Sequence, residues 1–426
     1  MTELRVDCCI AGGGPAGVML GLLLARAGIE VAVLEKHADF FRDFRGDTIH
    51  PSTLSLLGEL GWRREFLALP HNEVRTLDAV VNGHRLHPID FGLLPEPDDF
   101  LVLMPQWDFL NFLTAKAAAY PGFHLLMNTE ATGLIRDPGT GGVIAGVTAV
   151  QRGAASDGTT GSDALLEIRA RLTVACDGRA STLRDAAGLV PREFGVPIDV
   201  LWFRVPKPTV VPPDTLAYLD ENAMLITIPR GDYFQCGLLI PKDGLARLQR
   251  DGLPAFRAAV SSAAPFLEPV LGAVADWGQV KLLSVQVNRL AKWHLPGMLL
   301  IGDAAHAMSP AFGVGVNYAI QDAVATANAL VRPLRFGASA AAIDEDCSGI
   351  QDRRMPAVTR MQQLQLQAHR RFAKPGGGAI LPDPIPKATR IALTAAMPLV
   401  QRLTARMLGR GFAPEHLADD LQPGVV

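Results

Sequence analysis

An α/β fold is what this chain predicts: a parallel-sheet domain built on a βαβ unit, a second and mostly antiparallel β-sheet domain, and helices towards the C-terminus. Three observations predict it. Residues 6–11 are apolar apart from Asp7 and suited to a buried strand, Gly12, Gly13, Gly14 and Gly17 follow, and residues 15–27 read as a helix. Residues 196–287 turn to many prolines and strand-like runs such as AMLITIPRG and YFQCGLLIP. Residues 298–331 return to strand, turn and helix.

Taken in order, the first strand, the glycine turn, a helix stopped by Gly28 and the strand IEVAVLEK ending on Glu35 fit the span of one βαβ unit. Gly12 allows a tight turn, Gly14 lets a diphosphate approach the backbone, and Gly17 lets the helix pack closely on the strand. The helix start at Pro15 and Ala16 offers amides to phosphate, and Glu35 accepts hydrogen bonds from an adenosine ribose. The unit is therefore Rossmann-like and binds a dinucleotide. No second glycine fingerprint of this kind follows, so any other dinucleotide is a visitor.

Arg42 and Arg45 come next, then a helix over 52–60 closed by Gly61 and strands over 74–103. PQWDFLNFLTAKAAA is a helix with Gln106 and Asp108 in its first turn, and strands recur over 123–135 and 143–151. The polar, glycine-rich run 152–163 reads as a mobile hairpin tip. A strand over 172–176 ends in the Asp177–Gly178 turn, after which Ser181 or Thr182 caps a short helix. The strand over 298–301 ends at Gly302 and Asp303, and a long helix covers 316–331. The remainder is helical, with breaks expected at Pro356 and Pro398.

Composition limits the function classes. At 426 residues, with 49% hydrophobic and 19% charged, the chain buries a core shared by two or three domains. Forty basic and 43 acidic residues without long runs argue against nucleic acid as a partner. No leader pattern is visible and no apolar run reaches the ~18–20 residues that span a bilayer, which makes a cytoplasmic protein the expectation. The 5 cysteines are odd in number and lack metal-ligand spacing, so they read as buried thiols with no metal site.

Three motifs in this order, Gly12-x-Gly14-x-x-Gly17, Asp177-Gly178, and Gly302-Asp303-Ala-Ala-His306 followed by Pro310, Gly313, Gly315 and Asn317, resemble the p-hydroxybenzoate hydroxylase family, the single-component FAD-dependent aromatic monooxygenases. The resemblance covers residues 6–356. It implies that the glycine turn (Gly12, Gly14, Pro15, Ala16, Gly17) and Glu35 hold the ADP half of tightly bound, non-covalent FAD. Arg45 looks like the loop arginine near the flavin, and Gln106 matches the polar residue at a helix start that contacts the cofactor. Asp303, after Gly302, would bind the ribityl chain. Gly313, Val314, Gly315, Val316 and Asn317 would lie against the pyrimidine side of the isoalloxazine, where a helix N-terminus favours the anionic reduced flavin. Asp177 and Gly178 resemble the second fingerprint, tied to FAD and to nicotinamide dinucleotide, with Cys176 standing where alanine is more usual. Pro310 matches the proline beside the reactive flavin edge, and His306 takes a packing role in its turn.

The chemistry implied is reduction of FAD by NAD(P)H as a transient co-substrate, reaction with O2 to a flavin C4a-hydroperoxide, and hydroxylation of an aromatic or polyketide-like substrate. Trp202, Arg204, Met224, Ile226, Tyr233 and Gln235 fall on strand-like segments of the second domain and are the substrate candidates. An apolar pocket there would suit a polycyclic aromatic better than a small charged acid. Other readings keep the scaffold but change the chemistry, to a flavin halogenase, a prenyl reductase, or a non-catalytic flavin-dependent binder of an intermediate. This division assigns 1–75, 104–190 and 291–370 to the FAD-binding domain, 76–103 and 191–290 to the substrate domain, and 371–426 to a C-terminal helical segment. That last segment caps the FAD domain or makes an oligomer contact in a monomer or homodimer, and a membrane-surface helix is a further option.

Overall fold

Residues Thr2–Ala11 form the first strand, its inner half fully buried, and in the computed structural model it sits near the middle of an eight-stranded sheet. The structure describes residues 2–41, 48–81, 83–153, 162–210, 217–220, 223–372 and 386–422. Arg42, Arg45 and most of the expected hairpin tip lie outside the described residues.

The sheet runs His294–Leu295, Met298–Leu300, Ala164–Ala175, Thr2–Ala11, Val31–Leu34, Phe123–Leu126, with Val143–Gln151 and Thr129–Asp137 attached beside Ala164–Ala175. The five strands from Met298–Leu300 to Phe123–Leu126 are mutually parallel. Helix Pro15–Arg26, buried along most of its length, packs between helices Gln106–Ala117 and Gly315–Arg335. Such all-round burial requires apolar residues on every face, as VMLGLLLA supplies. Ser181 does cap the short helix Thr182–Ala186, accepting from the Arg184 amide at 3.0 Å.

The second sheet has seven strands in the order Lys281–Leu283, Ile198–Pro206, Tyr233–Pro241, Met224–Arg230, Ala217–Leu219, Thr76–Val81, His84–Asp90. All its neighbours are antiparallel except Ala217–Leu219 against Thr76–Val81. Leu101–Leu103 does not join it; that strand pairs with Thr48–Ile49 and Asn72–Val74 in a separate three-stranded sheet. One face is covered by the helix Leu245–Ala263, which a strand reading of 196–287 misses because Gly252, at φ +86°, and Pro254 interrupt its pattern.

Two expected breaks do not occur. Helices Ala340–Phe372 and Lys387–Gly409 each run through their proline. Pro356 and Pro398 both stand on the exposed side of their helices, where the ring meets no core neighbour. The second of these helices packs on the edge strand His84–Asp90, with Thr404 donating to the Pro88 carbonyl at 2.6 Å.

Two buried histidines give the fold an acid-side sensitivity. Burial pushes His50 and His369 down to about 4. The unfolded chain then binds more protons than the folded one, so the associated stability is present above the ordinary histidine pKa and is lost as pH falls from about 6.5 towards 4. Urea unfolding is expected to show each costing on the order of 2 kcal/mol by about pH 5. His50→Gln should flatten the slope of unfolding free energy between about pH 7 and about pH 5, and an unaltered slope would refute the assignment.

Candidate functional site

Because Met298–Leu300, Ala164–Ala175, Thr2–Ala11 and Val31–Leu34 are adjacent and parallel, the turns that follow them line one edge of the sheet. Those turns carry Gly302–Asp303, Asp177–Gly178, Gly12–Gly17 and Glu35. Backbone bonds stitch them together: Gly12 N to Leu34 O at 2.8 Å, Cys176 N to Ala11 O at 2.7 Å and Ile301 N to Ala175 O at 3.1 Å.

The glycines of the first turn divide by what surrounds them. A Cβ on Gly12, at φ +108°, would lie 2.4 Å from the Cys176 carbonyl oxygen, and one on Gly17 would lie 2.0 Å from that of Gly12. A Cβ on Gly14 would meet nothing within 4 Å, so this glycine faces open space at the start of the Pro15–Arg26 helix. Glu35, 9% exposed, accepts from the amides of Gly13 at 3.2 Å and His37 at 3.0 Å, which fixes its carboxylate beside the turn.

In the second turn the Asp177 carboxylate accepts from Ser181 Oγ at 2.5 Å and from the Leu183 amide at 3.1 Å. Burial pushes this carboxyl up, with those bonds pulling the other way. Its side chain therefore serves its own turn, and Gly178, at φ +86° with open space around its Cβ position, presents the backbone. Arg179, which the motif reading did not single out, donates Nε to Asp303 Oδ2 at 3.1 Å and ties the second turn to the third. The only sequence signal for it was its place directly after the Asp-Gly pair.

Gly302, at φ +60°, is wedged so that a Cβ would lie 3.5 Å from the Ala16 Cβ and 3.3 Å from that of Ala319. Its amide donates to Asp322 Oδ2 at 3.1 Å, His306 Nε2 lies 2.5 Å from that oxygen, and Arg354 Nε donates to Asp322 Oδ1 at 2.9 Å. Burial pushes the Asp322 carboxyl up, but His306 and Arg354 beside it reverse this and hold it below its ordinary value. His306, 1% exposed, thus has the packing role expected of it.

The loop before the Gly315–Arg335 helix places Phe312 and Gly313 at φ +70° and +63°. Thr48 Oγ1 donates to the Gly313 carbonyl at 2.8 Å. Asn317 Oδ1 accepts from the His50 amide at 3.0 Å and Thr53 Oγ1 at 2.7 Å, and Val314 is buried. What this helix start offers a ligand is therefore main chain: the amides of Gly315, Val316 and Asn317 have no acceptor within their own helix. Gly313→Ala is expected to cost about 1–3 kcal/mol, since its Cβ would stand 2.5 Å from Thr48 Oγ1 in a left-handed backbone. Thermal melting reads this, and Thr48→Ala in the same chain should recover the steric part. Pro310 is half-buried and accepts from the Gly313 amide at 3.0 Å, while Gln106 opens its helix half-buried.

The register of the seven-stranded sheet puts all the substrate candidates on one face. Trp202 stands opposite Gly237, Arg204 opposite Gln235, and in the next pair Met224 stands opposite Leu239, Ile226 opposite Gly237 and Arg230 opposite Tyr233. Trp202 and Ile228 belong to the same apolar cluster as Ala16 and Val314, whereas Leu201, Phe203 and Cys236 on the other face pack under Leu245–Ala263. The Trp202 ring lies 3.1 Å from where a Cβ of Gly237 would be. Arg230, 7% exposed and absent from the sequence-based candidates, shares this face. Burial pushes the Asp108 carboxyl up and the Arg230 charge opposes it, which makes the sheet face and the first turn of the Gln106–Ala117 helix neighbours.

The main-chain cradle fits a dinucleotide: Gly14 and Gly178 leave their Cβ positions open in turns that share one edge, as does Gly315 at the start of its helix. Fold and site define a dinucleotide-binding flavoprotein. The family described as an FAD binding domain matches residues 5–361, and the chain belongs to it. The chain is 30% identical over 374 residues to the 6-methylpretetramide 4-monooxygenase of Streptomyces rimosus, covering 87% of this chain and 85% of that protein. To the protoasukamycin 4-monooxygenase of Streptomyces nodosus subsp. asukaensis it is 27% identical over 378 residues, covering 86% and 88%. Among solved structures, PqsL of Pseudomonas aeruginosa, a probable FAD-dependent monooxygenase, shares the fold at TM-score 0.70 and 21% identity, covering 88% and 97%. The protein is an FAD-dependent monooxygenase that uses NAD(P)H and O2. Among the described residues no helix is long and apolar enough to cross a membrane.

Proposed function

We propose that this monooxygenase hydroxylates a polycyclic aromatic, polyketide-like compound held between the seven-stranded sheet and the flavin. The observation that carries this reading is the apolar sheet face around Trp202, Ile226 and Ile228, packed in the cluster that contains Ala16 and Val314. The likeness to 6-methylpretetramide 4-monooxygenase over most of both chains supports it.

FAD, when bound, supplies the redox chemistry by which NAD(P)H and O2 are consumed and one oxygen atom reaches the substrate. The chain's part is to bind, orient and exclude water. Gly12, Gly14 and Gly17, with the helix start at Pro15 and Ala16, bind the diphosphate, and Glu35 binds the adenosine ribose. Asp303 after Gly302 takes the ribityl chain, while Gln106, Asp177 and Gly178 complete the cofactor shell. The main chain from Gly313 to Asn317 faces the ring's pyrimidine side, and Pro310 borders its reactive edge. Trp202, Arg204, Met224, Tyr233 and Gln235 form the ceiling over the substrate. The enzyme works in the cytoplasm as a monomer or homodimer.

The test is direct. Purified protein should carry or take up FAD, and NAD(P)H oxidation should rise with polycyclic aromatics more than with small aromatic acids, giving a product heavier by one oxygen atom. Stimulation by small acids alone would overturn the substrate class. Trp202→Ala should raise KM for the best aromatic by about tenfold or more, with NAD(P)H-dependent flavin reduction unaltered; an unaffected KM would remove the ring from the pocket.

A further inference from the structure

The loop that carries Pro310 is held along one side by the helix Ala340–Phe372. On Ala340–Phe372, residues Gln362, Gln365 and His369 recur at spacings of three and four, which places them on one helix face. They are 1%, 0% and 2% exposed, unusual burial for such polar side chains.

Their hydrogen bonds account for this. Gln362 Nε2 donates to the Ala307 carbonyl at 2.9 Å and the Asn288 carbonyl at 2.8 Å. Gln365 Nε2 donates to the carbonyls of Ser309 at 3.0 Å and Ala311 at 2.9 Å, and its Oε1 accepts from the Ser309 amide at 3.2 Å. His369 Nε2 lies 2.7 Å from Ser309 Oγ, which accepts from the Ala311 amide at 3.1 Å. The Ala307 amide is met by Asn288 Oδ1 at 3.3 Å. Every main-chain polar group of Ala307, Ser309 and Ala311 is thus satisfied by a side chain, where a loop would ordinarily leave several to water.

The alternate residues bond elsewhere. The Met308 carbonyl accepts from Arg179 Nη2 at 3.4 Å, the arginine paired with Asp303, and the Pro310 carbonyl accepts from Gly313. One side of the 307–311 segment is therefore clamped to the helix and the other belongs to the cofactor turns.

We propose that Gln365, with Gln362 and His369, is a positioning residue: the helix face sets the height of Pro310 against the flavin edge and so protects oxygen transfer from leaking to hydrogen peroxide. This rests on the reading that Pro310 borders the flavin. A loop displaced by about 1 Å is enough to lose a large part of the rate. A loosened wall also admits water to the reacting edge.

The experiment compares Gln365→Leu with Gln351→Leu in the FAD-loaded protein. Gln351 lies on the same helix and also pins main chain, accepting from the Trp293 amide at 2.7 Å and donating to the Ala291 carbonyl at 3.2 Å, but it serves a different segment. Gln365→Leu should raise amide hydrogen exchange in a peptide covering 307–313 by about tenfold or more. It should also shift the bound-flavin absorption band and raise the hydrogen peroxide released per NAD(P)H consumed severalfold, with the FAD dissociation constant within about threefold of the parent. Gln351→Leu should melt earlier yet leave the flavin band and the peroxide yield alone. If Gln365→Leu lowers the melting temperature with both flavin readouts unmoved, the helix is scaffolding only and the proposal falls. Should Gln365→Leu not fold, Ser309→Ala decides: it removes the bonds to Ala311 and His369 and should move the same readouts in the same direction by a smaller amount. Failure to bind FAD in the parent protein would strike the functional reading instead, independently of these comparisons.

Discussion

Gly17→Ala and Gly12→Ala are each expected to leave no folded, flavin-retaining protein, whereas Gly14→Ala should fold and lose FAD affinity. The first two would drive a Cβ to within 2.0 Å and 2.4 Å of main-chain carbonyl oxygens, that of Gly12 in the same turn and that of Cys176 at the end of the neighbouring strand. Neither oxygen can yield without opening the sheet edge, and the total stability of a domain is only about 5–15 kcal/mol. Gly14 has φ −77° and open space around it, so alanine is accommodated in the free protein. Its methyl group would stand in the site proposed for the diphosphate, which should weaken FAD binding by about tenfold or more, some 1.4 kcal/mol. Circular dichroism melting and FAD titration separate the two outcomes. Unaltered FAD affinity in Gly14→Ala would remove the diphosphate from this turn.

Arg354→Met is expected to cost about 3–5 kcal/mol. The guanidinium is 1% exposed and serves Asp322 at 2.9 Å, Glu415 at 3.3 Å and the Ala413 carbonyl at 3.0 Å. Removing it strands two carboxylates inside the protein, with His306 and Arg353 their remaining partners. A carboxyl held below its ordinary value adds stability above its unfolded pKa, and loses it as pH falls through the folded one; for Asp322 that window lies below about pH 4. Parent protein should therefore lose urea resistance in acid more steeply than Arg354→Met, whose Asp322 is less depressed. A loss under about 1 kcal/mol near neutral pH would show that the network contributes little. Since Asp322 also receives the Gly302 amide, FAD affinity should fall with stability.

These two cases mark where sequence reading succeeds and where it stops. The glycine turn was legible because its requirements are local: a positive φ, a close approach and a helix start follow each other within a few residues. The Ser181 cap was legible for the same reason. Pro356 and Pro398 were misread because a proline's cost depends on which side of the helix faces water, and residue spacing alone did not say. The Leu245–Ala263 helix was hidden by Gly252 and Pro254 inside it. Arg179 is marked only by its place after the Asp-Gly pair, and Arg230 and Gln365 carry no local signature, since what they act on lies far away in the chain.

By itself the chain's order of residues determined the βαβ unit and the division into parallel and antiparallel sheets, because both are written in short-range periodicity and turn chemistry, and its three motifs carried the resemblance that pointed to the family. Only the tertiary structure decided which residues share each sheet face, which buried charges neutralise one another, and which helix holds the Pro310 loop. Those depend on strand register and long-range packing, where a shift of one residue exchanges the two faces of a strand and no local pattern can choose between them.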